Sequence, residues 1–286
     1  MTPVSENRQL AGLTVHFQRS GHGPALVLIH GLLGYSFSWR HVLDRFGAER
    51  EVYALDMPGS GFSECSASLD PRLPAAAERL LTFLDINGIT SCDLVGSSYG
   101  GATAMFLTAK HPERIRSLTL VSPANPWSHI GRRRLALLRL RTIARIFPAI
   151  ARKVHPLHGL AIRRMYGDPR RLCRETLRGY SLPLMRNGVF EHAVAITRGW
   201  YSDMAQLESL LPSISEIPVL LLWGSKDRVV DPASAQILTG RLKNSRLVII
   251  EGAGHLPYEE CPEEFVSVVS KFLDESSEAR TRREVT

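Results

Sequence analysis

The stretch Gly96-Ser97-Ser98-Tyr99-Gly100 joins the short apolar segment Asp93–Val95 to a helical pattern over Tyr99–Lys110. It matches the pattern G-x-S-x-G, in which a strand turns sharply into a helix and lifts the middle serine above the sheet. Such a turn leaves no room for side chains two residues before and after the serine, which is why glycines stand there. The start of the following helix also favours negative charge at the serine. Ser98 is therefore predicted to be a nucleophile, and its neighbour Ser97 is not.

Apolar segments and helical patterns alternate along most of the 286 residues, which are 44% apolar and 22% charged. The predicted strands are Leu13–Phe17, Ala25–Ile29, Val52–Leu55, Asp93–Val95, Ile115–Val121, Val219–Trp223 and Leu247–Ile250. The predicted helices are Phe37–Phe46, Pro74–Asn87, Tyr99–Lys110, Ala233–Leu242 and Pro262–Glu275. Nearly continuous apolar strands are typical of a parallel sheet covered on both faces. The alternation therefore predicts an α/β fold with a mostly parallel central sheet and helices on both faces.

The alternation is interrupted once. It stops at Ser122-Pro123-Ala124-Asn125-Pro126, a cluster that breaks regular structure, and resumes at Val219, with only helical patterns between. We predict a core in two parts, residues 1–125 and 216–275, with an inserted helical lid over residues 126–215. The polar tail, residues 276–286, is expected to fray.

A serine hydroxyl is a poor nucleophile unless a base takes its proton, and the usual base is a histidine oriented by a carboxylate. Asp227 follows the strand that ends at Trp223, and His255 follows the strand that ends at Ile250. Open α/β sheets place their sites just beyond the carboxyl ends of strands. The order Ser98, Asp227, His255 is also the order expected for this type of turn.

Asp231 is an alternative acid four residues after Asp227. It precedes Pro232 and the helix Ala233–Leu242. A carboxylate near proline at the start of a helix suits the helix dipole. We therefore interpret Asp231 as a structural residue at the start of that helix and assign the orienting role to Asp227.

Two further motifs accompany these residues: His30-Gly31-Leu32-Leu33-Gly34 and the turn Asp56–Ser63. With them the chain resembles the α/β-hydrolase superfamily of the capped type over about residues 10–273. The resemblance implies the α/β-hydrolase fold, with a lid domain at the predicted insertion. Some members place the acid after the strand that here ends at Val121, but no carboxylate stands there in this chain.

The resemblance also implies an oxyanion hole. Two backbone N–H groups must point at the oxyanion of the tetrahedral intermediate. By resemblance these belong to Leu32 and Tyr99. His30 is expected to brace the loop rather than act as a base, and the turn Asp56–Ser63 is expected to be structural.

The serine at the turn favours acyl transfer. Members with aspartate there cleave epoxides or carbon–halogen bonds, whereas a serine with an oxyanion hole suits attack on a carbonyl. Hydrolysis of a small-molecule carboxylic ester is therefore predicted. The alternatives on the same triad are carbon–carbon bond hydrolysis of ring-cleavage products and cofactor-free perhydrolysis, and a non-catalytic ligand-binding receptor is a further one. Carbon–carbon hydrolases typically carry tryptophan directly after the catalytic histidine, where this chain has Leu256.

No cofactor or metal is predicted. The four cysteines stand far apart and form no C-x-x-C pair. His155 and His158 are three residues apart, but no nearby Asp, Glu or Cys completes a ligand set. No glycine-rich stretch has the spacing of a phosphate-binding loop.

The charge of +7 is concentrated in the insertion. Residues 127–212 carry 16 Arg and Lys against 5 Asp and Glu, whereas the rest of the chain carries 19 against 23. Arg134, Arg141 and Arg145 are spaced to form one stripe on a helix. The stripe is either a solvated face or a surface for an acidic partner, either an anionic lipid surface or an acyl-carrier protein. Nucleic acid is not predicted, because no reading motif is present.

Apolar side chains of the insertion are predicted to line an acyl pocket, with the lid's own core as the alternative. They are Leu182, Leu184, Met185, Phe190, Trp200 and Tyr201. No run of 18 apolar residues is present, so no transmembrane segment is predicted. The first twenty residues lack the pattern of a secretory signal, and we expect a cytoplasmic location.

Overall fold

The computed structural model describes residues 2–128 and 137–285, with their side chains except those of residues 155–157 and 283–285. Among these residues, eight strands form one sheet: β1 (Val4–Leu10), β2 (Leu13–Ser20), β3 (Ala25–Ile29), β4 (Glu51–Leu55), β5 (Cys92–Ser97), β6 (Ile115–Val121), β7 (Val219–Gly224) and β8 (Ser245–Ile250). The order across the sheet is β1-β2-β4-β3-β5-β6-β7-β8. The pairs β1–β2 and β2–β4 are antiparallel, and all other pairs are parallel. The carboxyl ends of β3 to β8 therefore meet at one edge of the sheet.

The α-helices are α1 (Leu43–Phe46), α2 (Leu73–Ile86), α3 (Tyr99–Lys110), α4 (Arg141–Lys153), α5 (His155–Met165), α6 (Arg174–Leu184), α7 (Val189–Leu210), α8 (Ala233–Arg241), α9 (Pro257–Glu260) and α10 (Pro262–Val285). Short 3₁₀ helices span Ser36–Trp39, Pro112–Arg114, Pro169–Arg171 and Leu211–Ile214.

Alternate strand residues enter two hydrophobic clusters, one on each face of the sheet. Val27 and Ile29 lie in the cluster that contains residues of α2, α3 and α8. Leu26 and Leu28 lie in the cluster that contains residues of α1, α9 and α10. Burial on both faces explains why the strands are nearly continuous apolar runs in the sequence. The predicted α/β fold, with its mostly parallel sheet between two helical layers, is confirmed.

Strand β1 has no counterpart among the predicted strands. Among the described strands it is the outermost and pairs only with β2, and its residues are mostly polar and exposed. It therefore lacks the apolar alternation that marks a half-buried strand. Ala11 and Gly12, which join β1 to β2, have φ angles of 48° and 86°. Positive φ at both positions is what a tight two-residue hairpin turn requires.

The prediction of one helix over Phe37–Phe46 is wrong. The segment divides into the 3₁₀ helix Ser36–Trp39 and the single-turn helix α1. Trp39 is fully buried, and its ring centroid lies 4.4 Å from that of Tyr258. Tertiary packing of this tryptophan against a residue far along the chain prevails over the local helical pattern.

The last helix runs further than predicted. The tail that was expected to fray, residues 276–286, is helical as far as Val285. Glu278 and Arg282 lie one turn apart with 3.5 Å between their charged atoms, a spacing that supports an exposed helix. Helix α10 therefore includes most of the polar tail.

Between β6 and β7, in the described ranges 122–128 and 137–218, the regular secondary structure consists of helices alone. Helix α7 packs in two hydrophobic clusters. Phe190 near its start lies in a small cluster with Ala151, whereas Met204 and Leu207 lie in the cluster that contains residues of α2, α3 and α8. The lid boundaries at residues 126 and 215 stay a prediction.

The arginines Arg132, Arg133 and Arg134, which belong to the predicted basic lid, lie outside the described residues. Across residues 2–128 and 137–285, none of the helices has both the length and the apolar run that crossing a bilayer requires.

Candidate active site

The turn between β5 and α3 holds Ser98 in a strained backbone conformation. Its φ is +52° and its ψ is −119°, a combination that residues other than glycine rarely adopt. The N–H of Ser98 donates to the carbonyl oxygen of Val121 at 3.0 Å, and its carbonyl oxygen accepts from Ala124 at 2.8 Å. These bonds to the end of β6 hold the turn in place. Ser97, in contrast, is fully buried, with its hydroxyl 3.1 Å from that of Tyr258.

Close backbone approach explains the glycines on either side of Ser98. A Cβ at Gly96 would lie 2.6 Å from the carbonyl oxygen of Gly100. A Cβ at Gly100 would lie 2.4 Å from the carbonyl oxygen of His30. Since both obstacles are backbone atoms, neither position accepts a side chain without movement of the turn or of β3.

His255 and Asp227 are joined by a hydrogen bond just beyond the ends of β8 and β7. Nδ1 of His255 lies 2.8 Å from Oδ2 of Asp227, and the two side chains are 3% and 0% exposed. The other oxygen, Oδ1, accepts from the N–H groups of Val229 and Val230 at 2.7 and 3.0 Å. A carboxylate only accepts, so Nδ1 carries the proton and Nε2 of the neutral ring is a proton acceptor.

The carboxyl group of Asp227 is held as an anion. Burial alone would raise its pKa, but the interaction with His255 and the hydrogen bond from the N–H of Val229 outweigh burial and lower the pKa below its usual value. Ser98 lies at the same edge of the sheet, beyond β5. Within the described residues, 2–128 and 137–285, the Ser98 hydroxyl forms no hydrogen bond with His255.

The loop after β3 passes against Ser98. A Cβ at Gly31 would lie 3.6 Å from Oγ of Ser98. The N–H of Gly34 donates to the carbonyl oxygen of Gly31 at 2.9 Å, and Leu33 has a φ of 63°, so the four residues form a tight turn. Within the described part of the chain, the N–H groups of Leu32 and Tyr99 donate to no protein acceptor.

His30 braces this turn. Its Nε2 accepts from the N–H of Met57 at 3.0 Å, so Nδ1 carries the proton and donates to the carbonyl oxygen of Gly31 at 2.8 Å. Burial lowers the pKa of His30, which keeps the ring neutral. With both ring nitrogens bonded, His30 has none left to act as a base.

Asp56 anchors the neighbouring turn. Its fully buried carboxylate accepts from the N–H groups of Ser36 and Phe62 at 2.6 and 2.8 Å and lies 3.1 Å from Nδ1 of His16. Burial would raise the pKa of Asp56, but these three partners outweigh burial and lower it.

We expect Asp56→Asn to lower the free energy of unfolding by about 3 kcal/mol at neutral pH, because an amide cannot accept from all three donors. The pKa of Asp56 is lower in the folded protein, so its contribution is complete above the unfolded pKa of about 3.9 and is lost as the pH falls through the folded pKa. Urea unfolding of both proteins between pH 7 and pH 3 measures this difference. The gap should narrow on acidification, whereas the exposed control Glu78→Gln should show no gap; a gap independent of pH would contradict the assignment.

Two adjacent glutamates after His255 tie the inserted helices to the core, and they were not predicted. Glu260 accepts from the N–H of Gly167 at 2.9 Å and from the N–H of Gly254 at 2.7 Å. Glu259 accepts from the hydroxyls of Tyr166 and Tyr180 in the inserted segment, at 3.1 and 2.5 Å. Through Glu260, the loop that carries His255 is fastened to the end of α5.

A small cavity lies beside the turn Gly31–Gly34. Leu32, Tyr99, Arg79 and His192 are among the residues that line it, and about 20 Å³ is open to the centre of a water-sized sphere, enough for about one water molecule. In the described residues, neither Nε of Arg79 nor the hydroxyl of Tyr99 has a hydrogen-bond partner. Burial and the nearby Arg79 lower the pKa of His192 to about 4. Arg79 was not predicted, because one arginine in a helical pattern cannot be distinguished from a solvated one.

Three of the side chains predicted to line an acyl pocket lie near the site. Leu184 and Phe190 are buried in a small cluster against which Leu33 packs. The ring centroid of Trp200 lies 6.4 Å from that of Tyr99. Their role in binding substrate stays a prediction.

The other three predicted pocket residues, Leu182, Met185 and Tyr201, are exposed. The guanidinium carbon of Arg139 lies over the ring of Tyr201, 5.1 Å from the ring centroid. Exposure to solvent does not fit the lining of an enclosed pocket, so the six predicted residues are not brought together.

Asp231 lies at the start of α8, as predicted. Its Oδ1 accepts from the N–H of Ala233 at 3.0 Å. His158 is buried, with Nε2 2.7 Å from the carbonyl oxygen of Ala151. Neither residue is bonded to the pair of Asp227 and His255.

Comparisons with known proteins agree with this fold. The pimeloyl-[acyl-carrier protein] methyl ester esterase of Aeromonas hydrophila is 27% identical over 91% of this chain and 100% of its own. Epoxide hydrolase 4 of Mus musculus is 26% identical over 93% of this chain and 78% of its own. The crystal structure of a bacterial membrane phospholipase A is 27% identical, with a TM-score of 0.79 over 96% of this chain and 87% of that one. A model of the alpha/beta hydrolase family matches residues 26–268, so the resemblance is confirmed and the chain belongs to that family.

Proposed function

We propose that this hydrolase cleaves carboxylic esters through an acyl-enzyme on Ser98, with His255 as general base and acid and Asp227 as its orienting partner. The observation that carries the proposal is the 2.8 Å hydrogen bond between the buried His255 and Asp227 at the sheet edge where strained Ser98 also lies. A protonated Nδ1 bound to a carboxylate leaves Nε2 able to take a proton from a serine hydroxyl.

The reaction takes place in two halves. Oγ of Ser98 attacks the ester carbonyl carbon, its proton passes to Nε2 of His255, and the carbonyl oxygen becomes an oxyanion. The N–H groups of Leu32 and Tyr99, which have no acceptor within the described residues, are proposed to stabilise it. The C–O bond then breaks, and the alcohol leaves with the proton from His255. In the second half, water loses a proton to His255, attacks the acyl carbon and releases the acid together with the serine hydroxyl.

The missing bond between Ser98 and His255 is compatible with this proposal. Catalytic hydrogen bonds are often long before substrate binds and shorten in the reacting complex. The loop of His255 is held at one end by Glu260, whose carboxylate accepts from the N–H of Gly254 at 2.7 Å. The cytoplasmic location stays a prediction.

Ester hydrolysis is favoured over the other chemistries of the family. An epoxide hydrolase is among the relatives, but attack on saturated carbon suits an aspartate nucleophile, and this chain has Ser98. One relative is named for an ester carried on an acyl-carrier protein and a solved structure for a phospholipase, so we propose a small acyl ester, either free or carried by a larger molecule.

A substrate panel tests the reaction class. We expect p-nitrophenyl esters from acetyl to palmitoyl to be hydrolysed, with a maximum at one chain length, and a ring-cleavage dienone and peracid formation to proceed at least about 100-fold more slowly. Initial rates measured by absorbance give the comparison. If the dienone is cleaved faster than every ester, the carbon–carbon alternative replaces this proposal. If no compound is turned over and a serine-directed phosphonate leaves Ser98 unmodified, the receptor alternative does.

A further inference from the structure

Large apolar side chains are exposed mainly on the inserted helices. The described residues expose 14 such side chains, and nine of these lie between residues 137 and 201. They are Leu137, Leu140, Ile146, Phe147, Ile150, Leu160, Leu182, Met185 and Tyr201. Single exposed apolar residues are ordinary, whereas a concentration in one segment indicates a surface for a partner or a membrane.

Helix α4 presents its exposed apolar residues as one stripe. Ile146, Phe147 and Ile150 are exposed, and the half-buried Ile143 lies three, four and seven residues before them. The four residues therefore lie within an arc of about 100° on the helix. Ile146 and Ile150 are each 50% exposed. The buried residues of this helix are Pro148 and Ala151, which lie outside the stripe. Ile146 and Ile150 therefore face solvent, whereas Phe147 is 37% exposed and also packs edge-to-face against Phe190.

The other side of α4 is basic. Arg141, Arg145 and Arg152 are spaced by four and seven residues and lie opposite the apolar stripe. Arg152 lies 2.8 Å from Glu191, whereas Arg141 and Arg145 are exposed. The sequence from residue 127 to residue 166 contains ten Arg and Lys and neither Asp nor Glu.

The neighbouring helix α5 also exposes apolar and basic residues, here on one side. Leu160 is exposed, and Arg163 and Arg164, three and four residues later, share its side of the helix and are exposed as well. Apolar and basic side chains on short helices are the composition of segments that lie in the interface of an anionic membrane.

We propose that α4 and α5 form a docking face for an anionic lipid surface, with Ile146, Phe147, Ile150 and Leu160 entering the headgroup region. An acidic carrier protein would satisfy the arginines but leave four large apolar side chains in water, and this favours lipid. Vesicle binding needs no turnover, so the docking face stands or falls independently of the ester hydrolysis.

Docking would bring the proposed active site close to the lipid. Ala151 of α4 packs in the cluster with Phe190, and Leu33, adjacent to the proposed donor Leu32, packs against that cluster. If the proposed function holds, the substrate class that follows is an acyl ester that partitions into membranes.

Flotation of the full chain with vesicles tests the docking face. We expect binding to vesicles of phosphatidylcholine with phosphatidylglycerol at least about tenfold stronger than to phosphatidylcholine alone, and weakened by salt. The double variant Ile146→Ser with Ile150→Ser should lose at least about tenfold of this binding. Arg141→Gln with Arg145→Gln should lose on the order of tenfold at low salt.

The matched control is Ile237→Ser with Ile249→Ser, which removes two isoleucines of similar exposure, 44% and 42%, outside the insertion. We expect it to bind vesicles as the parent protein does. All variants should retain the parent's Tm and its rate on a water-soluble ester, which separates docking from folding and from catalysis. Equal binding to both vesicle types, an equal loss in the control, or capture by an acidic acyl-carrier protein in place of vesicles would overturn the proposal.

Discussion

Replacing Ser98 with alanine should lower kcat for ester hydrolysis by on the order of 10⁶-fold, because the acyl-enzyme cannot form. Alanine occupies less space than serine, so the turn with its φ of +52° should keep its shape. The neighbouring Ser97 provides the matched control, since its hydroxyl is buried against Tyr258 rather than exposed at the turn. We expect Ser97→Ala to stay within about fivefold of the parent rate while losing about 1 kcal/mol of stability.

Rates on the preferred p-nitrophenyl ester and mass spectrometry after treatment with a serine-directed phosphonate measure both outcomes. The parent and Ser97→Ala should gain one adduct, and Ser98→Ala should gain none. Appreciable turnover by Ser98→Ala, or a large loss of rate in Ser97→Ala alone, would show that Ser98 is not the nucleophile.

Asp227→Asn should lower kcat by roughly 10⁴-fold through the tautomer of His255. The N–H groups of Val229 and Val230 both donate to Oδ1 of Asp227, so an asparagine must keep its carbonyl oxygen there. Its amide nitrogen then faces Nδ1 of His255 as a donor. Nδ1 must become the acceptor, the proton moves to Nε2, and the ring can no longer take the proton of Ser98.

The control for this variant is Asp231→Asn, which alters the carboxylate at the start of α8. Because the Asp231 carboxylate has no bond to His255, we expect the rate of this variant to stay within about threefold of the parent. Its stability should fall by only about 0.5 kcal/mol, since an amide oxygen can still accept from the N–H of Ala233 and only the negative charge at the helix start is lost. Rates from pH 5 to pH 9 measure both variants. An Asp231→Asn loss as large as that of Asp227→Asn would mean that the acid has been wrongly assigned.

Residues whose role depends on neighbours in the sequence were predictable. The glycines around Ser98 follow from the sharpness of one turn, and the structure shows the backbone contacts of 2.4 and 2.6 Å that exclude larger residues. Asp227 and His255 could be predicted as candidates because parallel strands place their carboxyl ends at one edge, so any polar residue just past a strand is a candidate. Strand β1 was missed because an exposed edge strand carries no apolar periodicity.

Residues whose role depends on distant partners were not predictable. The helical pattern over Phe37–Phe46 gave no sign that Trp39 would pack on Tyr258, more than two hundred positions away. The same holds for Glu260, whose carboxylate bonds Gly167 at the end of α5. A single sequence shows which residues are charged, but it does not distinguish a buried glutamate that bonds a distant segment from a glutamate exposed to solvent.

The sequence by itself determined the fold class, the Ser98 turn, the candidate pair Asp227 and His255 and the basic character of the insertion, since each is encoded in spacing and periodicity along the chain. Only the tertiary structure decided that Asp227 binds Nδ1 of His255, that Leu182 and Met185 face solvent, and that Ile146 and Ile150 of α4 are exposed. Burial is a property of packing between segments far apart in the chain, and local pattern carries no record of which segments meet.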